Sequence, residues 1–144
     1  MRVSGILKDK GSDVATVTTN QTLAHASDEL RRRRIGALVV TNDGETIEGI
    51  LSERDVVHAI ALFGHAVLNQ PVTTAMTAEV WTCSPDDTTE ELAQAMTYHR
   101  TRHLPVMNQG KLVGIVSIGD IVKSRLTELE REREQLTNYI TTGR

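Results

Sequence analysis

The stretch Gly49-Ile50-Leu51-Ser52-Glu53-Arg54-Asp55-Val56-Val57 returns as Gly114-Ile115-Val116-Ser117-Ile118-Gly119-Asp120-Ile121-Val122, 65 positions later and identical at five of nine places. Nine residues alone could coincide, so the flanks decide. Upstream, Asn42-Asp43-Gly44-Glu45 answers Asn108-Gln109-Gly110-Lys111, and a one-residue deletion there moves the offset to 66. Beyond it Leu38-Val39-Val40 falls on Leu104-Pro105-Val106, Leu30 on Met96, Ala26 on Leu92 and Val17 on Cys83. Order, turn and apolar spacing all agree, so the chain is a tandem repeat.

Each copy reads as strand, helix, strand, strand, helix. In the first, Val14-Ala15-Thr16-Val17 is a β-branched run, Leu23, Ala26 and Leu30 recur at helical spacing, and Gly36 is the expected stop. Ala37-Leu38-Val39-Val40 and Ile47-Glu48-Gly49-Ile50-Leu51 then form a hairpin about the Asn-Asp-Gly turn. In the second copy Val80-Trp81-Thr82-Cys83 is the strand, Pro85-Asp86-Asp87 sets acids at a helix start, and Leu92, Ala95, Met96 and His99 make the apolar stripe. A half of about 60 residues buries too little surface to be comfortable alone. The expectation is an α/β (α+β) fold of two βαββα units packed with pseudo-two-fold symmetry, plus a C-terminal helix. The boundaries read as 1–66 for the first unit, 67–74 for the linker, 75–126 for the second unit and 127–144 for the charged helix and tail.

Composition removes several classes. The 144 residues carry 16 Lys+Arg against 19 Asp+Glu, a formal charge of −3, and only 3% are aromatic. That is a poor basis for stacking single strands or tracking a phosphate backbone, so no nucleic-acid partner is expected. No run approaches the ~18 apolar residues of a membrane span, and the first residues lack the apolar core of a secretion signal. With Cys83 as the one cysteine there is no internal disulfide, and a reducing cytoplasm is the expected setting.

The chemistry sits in the repeated Ser-x-x-Asp, where a strand ends and a helix begins. One reading is a capping box, in which the serine hydroxyl accepts an early helical N–H and the acid reaches back. Another uses the same geometry for a nucleotide: unpaired N–H groups suit a phosphate, and an ionised Asp accepts the vicinal hydroxyls of a ribose. The residues alone leave both open, because duplicating a unit duplicates its caps.

The ordered set of Leu-Val-Val or Leu-Pro-Val strand, Gly turn and Gly-Ile-[Leu/Val]-Ser-x-x-Asp, occurring twice, resembles the cystathionine β-synthase (CBS) domain. The tandem pair is similar to the Bateman module of stand-alone bacterial type. The resemblance runs from about Ile6 to about Leu126. It implies a regulatory module rather than an enzyme, with no catalytic cofactor, no catalytic residues and no metal. It also implies an adenosine-containing ligand, AMP or another adenine nucleotide with NAD(H) among the candidates, bound between the motifs of a homodimerising chain. Carried over residue by residue, Asp55 and Asp120 hold riboses while Ser52 and Ser117 lie by phosphates. Asp120, with Ile115 and Gly119 from its own motif, then shares a site with Thr16, Ile35, Gly36 and Ala37. Asp55 shares one with Val80, Cys83, Thr101 and Pro105.

The two sites differ in charge. Arg54 stands where the other copy has Gly119, and Arg100, Arg102 and His103 stand where the first has Arg34, Gly36 and Ala37. A planar guanidinium fork suits phosphate, so the Asp55 side favours a polyanion. The remaining histidines, His25, His58, His65 and His99, show no ligand spacing and read as structural or surface residues. Residues 31–34 read as a solvated helix end, Cys83 as a small buried hydrophobe, and Met76 and Met96 as core. From Ile121 onward Val122, Leu126, Leu129, Leu136 and Ile140 keep heptad-like steps with Arg133 interrupting. That seam fits a dimer contact or a helix folded back on its own domain. The alternative to a sensor is a ligand-free interaction and dimerisation module. Over residues 128–134, Glu128, Glu130, Glu132 and Glu134 against Arg131 and Arg133 give a local balance of −2.

Overall fold

The computed structural model describes residues 1–142. In chain order the elements are α1 (Val3–Lys10), β1 (Thr16–Val17), α2 (Leu23–Arg33), β2 (Ala37–Val40), β3 (Gly49–Ser52) and α3 (Glu53–Phe63). Two 3-10 turns follow, His65–Asn69 and Val72–Thr74, and then α4 (Thr89–His99), β4 (His103–Asn108), β5 (Lys111–Ser117) and α5 (Ile118–Thr142). The expected mixed α/β pair is present, with five helices and two small sheets. The first sheet runs β1-β2-β3, with β1 parallel to β2 and β2 antiparallel to β3; the second is the antiparallel β4-β5 pair. No helix among the described residues is long and apolar enough to cross a membrane.

Several local expectations need correction. Residues 80–83 do not form a strand; only Cys83 pairs, through a single parallel bridge to Val106. Helix α2 is ended not by Gly36 but by Arg34, which takes the left-handed conformation at φ 55°. Helix α4 starts later than the Pro-Asp-Asp run, because Thr88 is the cap that accepts from the Glu91 amide, and Glu90 and Glu91 supply the first-turn acids. Asp87 instead accepts from the Ser84 amide at 2.8 Å. The β4–β5 turn is tight, with Gln109 and Gly110 both at positive φ, the type I′ geometry that matches strand twist. Its counterpart is a longer loop gathered on the Asp43 carboxylate, which accepts from the Glu45 and Thr46 amides.

Helix α1 has no precedent in the periodicity, and it closes the second core. Val3 and Ile6 pack with Leu92, Met96, Leu104, Val116 and Ile121. The first core, built on Leu23, Leu38, Leu51 and Val56, is closed in the same way by Val67 and Val72 from the segment between the copies. The repeated glycines admit these covers. A Cβ on Gly114 would lie 2.6 Å from the Leu7 side chain, and one on Gly49 would lie 2.7 Å from Met76 Sδ. Packing therefore runs across the sequence boundaries: residues 1–10 lie on the second unit and residues 67–74 on the first. Helix α5 is continuous through residue 126, and residues 143–144 of the expected tail lie outside the described residues.

Candidate functional site

Both Ser-x-x-Asp turns are capping boxes in the structure. Ser52 Oγ accepts from the Asp55 amide at 3.2 Å while the Ser52 amide and hydroxyl donate to Asp55 Oδ2 at 2.8 and 3.0 Å. Ser117 and Asp120 repeat this at 3.2, 2.8 and 3.1 Å. The cap and a ligand site do not compete, since the cap engages only Oδ2 of each carboxylate. Beyond the cap, Asp55 Oδ1 receives the Thr77 hydroxyl at 3.4 Å, and Asp120 Oδ2 receives Lys10 Nζ at 2.7 Å.

Two clefts lie between the halves. The first, about 380 Å³, brings together nine of the expected residues: Gly36, Ser52, Arg54, Asp55, Val80, Arg100, Thr101, Arg102 and His103. Its far wall exists because α4 ends at Arg100, in the left-handed conformation at φ 53°, which turns the next residues back across the cleft into β4. The Thr101 hydroxyl donates to the His103 carbonyl at 3.1 Å and fixes that turn. Among the described residues, Arg54, Arg100 and Arg102 enter no ion pair. Three guanidinium groups that enter no ion pair thus stand beside one helix N-terminus, with Glu53, Asp55 and Glu79 on the same lining.

The second cleft, about 430 Å³, gathers Ile35, Gly36, Ala37, His103, Ile115 and Ser117. Asp120 does not line it. Its carboxylate borders a smaller hollow of about 90 Å³ with Lys10. Burial alone would raise the Asp120 pKa, but the Lys10 ammonium and the Ser117 amide outweigh it and hold the carboxyl below its usual range.

Four further expectations are not met by side-chain placement. Thr16 lines neither cleft; it is exposed on β1 opposite Val39, and Ala15 takes the place beside Ile35. Gly119 lies exposed in the first turn of α5, outside both clefts. Cys83 and Pro105 are core residues joined to each other, with the Cys83 amide donating to the Pro105 carbonyl at 3.0 Å and the Met107 amide to the Cys83 carbonyl at 2.8 Å. Burial, with the Asp87 charge nearby, pushes the Cys83 thiol up to about 12. The reading of Cys83 as a buried hydrophobe fits; its placement at the ligand does not.

Sequence reasoning missed other lining residues. Trp81 stacks on His99 with ring centroids 3.6 Å apart and planes 15° from parallel, and both face the Asp55 cleft with Glu53, Thr77 and Glu79. His99 is thus a wall residue rather than a purely structural one. Arg31, Arg32 and Arg33 pair with Asp28 and Glu29 on their own helix, as a solvated helix end should, whereas Arg34 is unpaired among the described residues and lines the second cleft with Arg33. The repeat alignment sets Trp81 on Ala15 and Lys10 on Met76, but spacing does not show that Trp81 meets His99.

The clefts share a wall. His103 and Gly36 line both, and a Cβ on Gly36 would sit 3.1 Å from the imidazole. Burial lowers the His103 pKa; Lys10 and Arg102 add to this against Glu53 and Asp120, so the ring is neutral at pH 7.

A duplicated α/β unit, paired about a pseudo-two-fold with a Ser-Asp-capped helix entering each cleft, defines a tandem small-molecule-binding pair. The CBS domain family model matches residues 5–62 and 72–127, and the chain belongs to that family. No catalytic family is indicated. The CBS-domain protein ATU1752 from Agrobacterium tumefaciens is 44% identical, with a TM-score of 0.84 over 87% of this chain and 99% of that one. The CBS pair of PAE2072 from Pyrobaculum aerophilum, solved with AMP, is 28% identical at a TM-score of 0.73, covering 83% and 89%. The CBS pair of MJ0100, solved with 5-methylthioadenosine and S-adenosylmethionine, is 25% identical at a TM-score of 0.76, covering 88% and 99%.

Proposed function

We propose that the protein is a regulatory sensor that binds an adenine nucleotide in the Asp55 cleft. The observation that carries this reading is the juxtaposition of Asp55 with Arg54, Arg100 and Arg102, a diol acceptor beside three guanidinium groups that are otherwise unpaired among the described residues. The Asp55 carboxylate takes the ribose hydroxyls and the guanidinium groups take the phosphates, which favours AMP and its longer-chain relatives, NAD(H) included, over an uncharged nucleoside. The AMP-bound Pyrobaculum relative supports the ligand class.

Thermal unfolding tests it. A ligand at 100 times its Kd adds about 2.7 kcal/mol, several degrees for a chain of this size. AMP, ATP or NADH should raise the Tm of the wild type, S-adenosylmethionine should do so less, and Asp55→Ala should abolish the response while costing about 1 kcal/mol as a lost cap. If no adenosine compound moves the Tm, the sensor reading fails.

A second role is supported by a separate observation. Helix α3 exposes Val57, Ile60, Leu62 and Phe63, and α5 exposes Val122, Leu126 and Leu129, with Val57 and Val122 at equivalent repeat positions. These paired apolar stripes fit a homodimer contact.

A further inference from the structure

Lys10, the last residue of α1, lies where the repeat alignment puts Met76 in the other copy. In the first copy the outer edge of β3 is finished by backbone: the Thr77 amide donates to the Ile50 carbonyl at 2.9 Å. In the second copy the equivalent carbonyl, Ile115, receives Lys10 Nζ at 3.0 Å, and the same ammonium reaches Asp120 Oδ2 at 2.7 Å. A side chain has replaced a strand edge, and it brings a charge with it.

The consequence falls on the acid. Asp120 Oδ2 accepts from the Ser117 amide, the Ser117 hydroxyl and Lys10 together, so Oδ1 is the oxygen left for a ligand and the ammonium offsets the carboxylate charge that would attract one. Asp55 beyond its own cap has only a neutral hydroxyl at 3.4 Å, which a ligand hydroxyl replaces without breaking an ion pair. The Asp120 carboxylate is paired with a full positive charge and the Asp55 carboxylate only with a hydroxyl dipole, so the two are unequal acceptors for a diol. Lys10 is only 34% exposed and thus partly shielded from solvent screening.

We infer that Lys10 determines which cleft is filled: by neutralising Asp120 in an ion pair it weakens that carboxylate as an acceptor for a ribose, so the chain takes one nucleotide, in the Asp55 cleft. This rests on the nucleotide reading proposed above. It makes α1 a selectivity element as well as a cover for the second core.

The single tryptophan makes the test site-specific, because Trp81 lines the Asp55 cleft and not the other. Titration of the full chain with ATP and with AMP, followed by calorimetry for stoichiometry and by Trp81 emission for the Asp55 cleft, separates the two sites. Wild type should bind about one nucleotide per chain, with emission following the whole isotherm. Lys10→Met, which installs the residue of the equivalent position, should raise the stoichiometry to about two through a second event that leaves emission unchanged. Lys10→Arg should stay at about one, and adding Asp120→Ala to Lys10→Met should return it there. The inference is overturned if wild type already fills both clefts with similar affinity, or if Lys10→Met still binds one nucleotide with the wild-type isotherm. If neither protein binds ATP or AMP, the nucleotide reading itself fails and takes this one with it.

Discussion

Asp55 and Asp120 occupy matching turns with matching caps, yet one faces a neutral hydroxyl and the other an ammonium. The difference comes from a residue 110 positions upstream of Asp120, and no local pattern could reveal it. Cys83 is the converse case. The repeat offset sets it on Val17, a core position, and the structure buries it with both backbone groups used in pairing. With its thiol pushed up to about 12, almost no thiolate exists at moderate pH. Iodoacetamide at pH 8 should therefore leave the native protein unmodified by mass spectrometry and alkylate Cys83 in urea; rapid labelling of the native state would contradict the burial. Ser52, Asp55 and the three arginines of the Asp55 cleft were legible because they sit in the repeated motif or at positions where the two copies differ, whereas Glu53 and Glu79 were not. Trp81 and His99 were not, because their stacking depends on where α4 ends rather than on spacing.

The helices show where sequence signals compete. Gly36 looks like a stop signal, but Arg34 already ends α2 in the left-handed conformation, which leaves Gly36 free to admit the His103 ring. Arg100 ends α4 in the same way, so the two αL arginines are part of the repeat. Heptad-like spacing on α5 was legible, and its seam stays exposed: Leu126, Leu129, Leu136 and Ile140 do not fold back on the domain. Spacing alone could not show that α3 presents a matching stripe, because its polar partners were needed to define which face is buried. Val57→Glu and Val122→Glu, at side chains 66% and 52% exposed, should leave the Tm within about 1–2 °C of wild type, since neither removes core. If these stripes join two copies, light scattering should then report half the wild-type mass. An unchanged mass would reject that contact.

At the scale of the whole molecule, two halves of about 60 residues each borrow a cover from the segment that precedes the other half. For the first half the cover is close by, since every residue of its core lies within residues 15–76. The second half must recover Val3 and Ile6 from the far end of the chain and join them to residues 83–121. Ile6→Ala should cost about 2–5 kcal/mol and lower the Tm by several degrees in a single transition, because the two halves share the walls of both clefts. A separate low-temperature step for the second half would show that the halves unfold independently. Closing a loop of that length has an entropic cost before any contact forms, so the expected order has α1 docking after the halves have taken shape. Ile6→Ala should then accelerate unfolding far more than it slows folding. The cover that docks last is also the one that carries Lys10 to Asp120, so the second cleft acquires its charge balance only once the chain has finished folding. A chain in which α1 is undocked would present Asp120 with its Ser117 cap but without its ammonium partner.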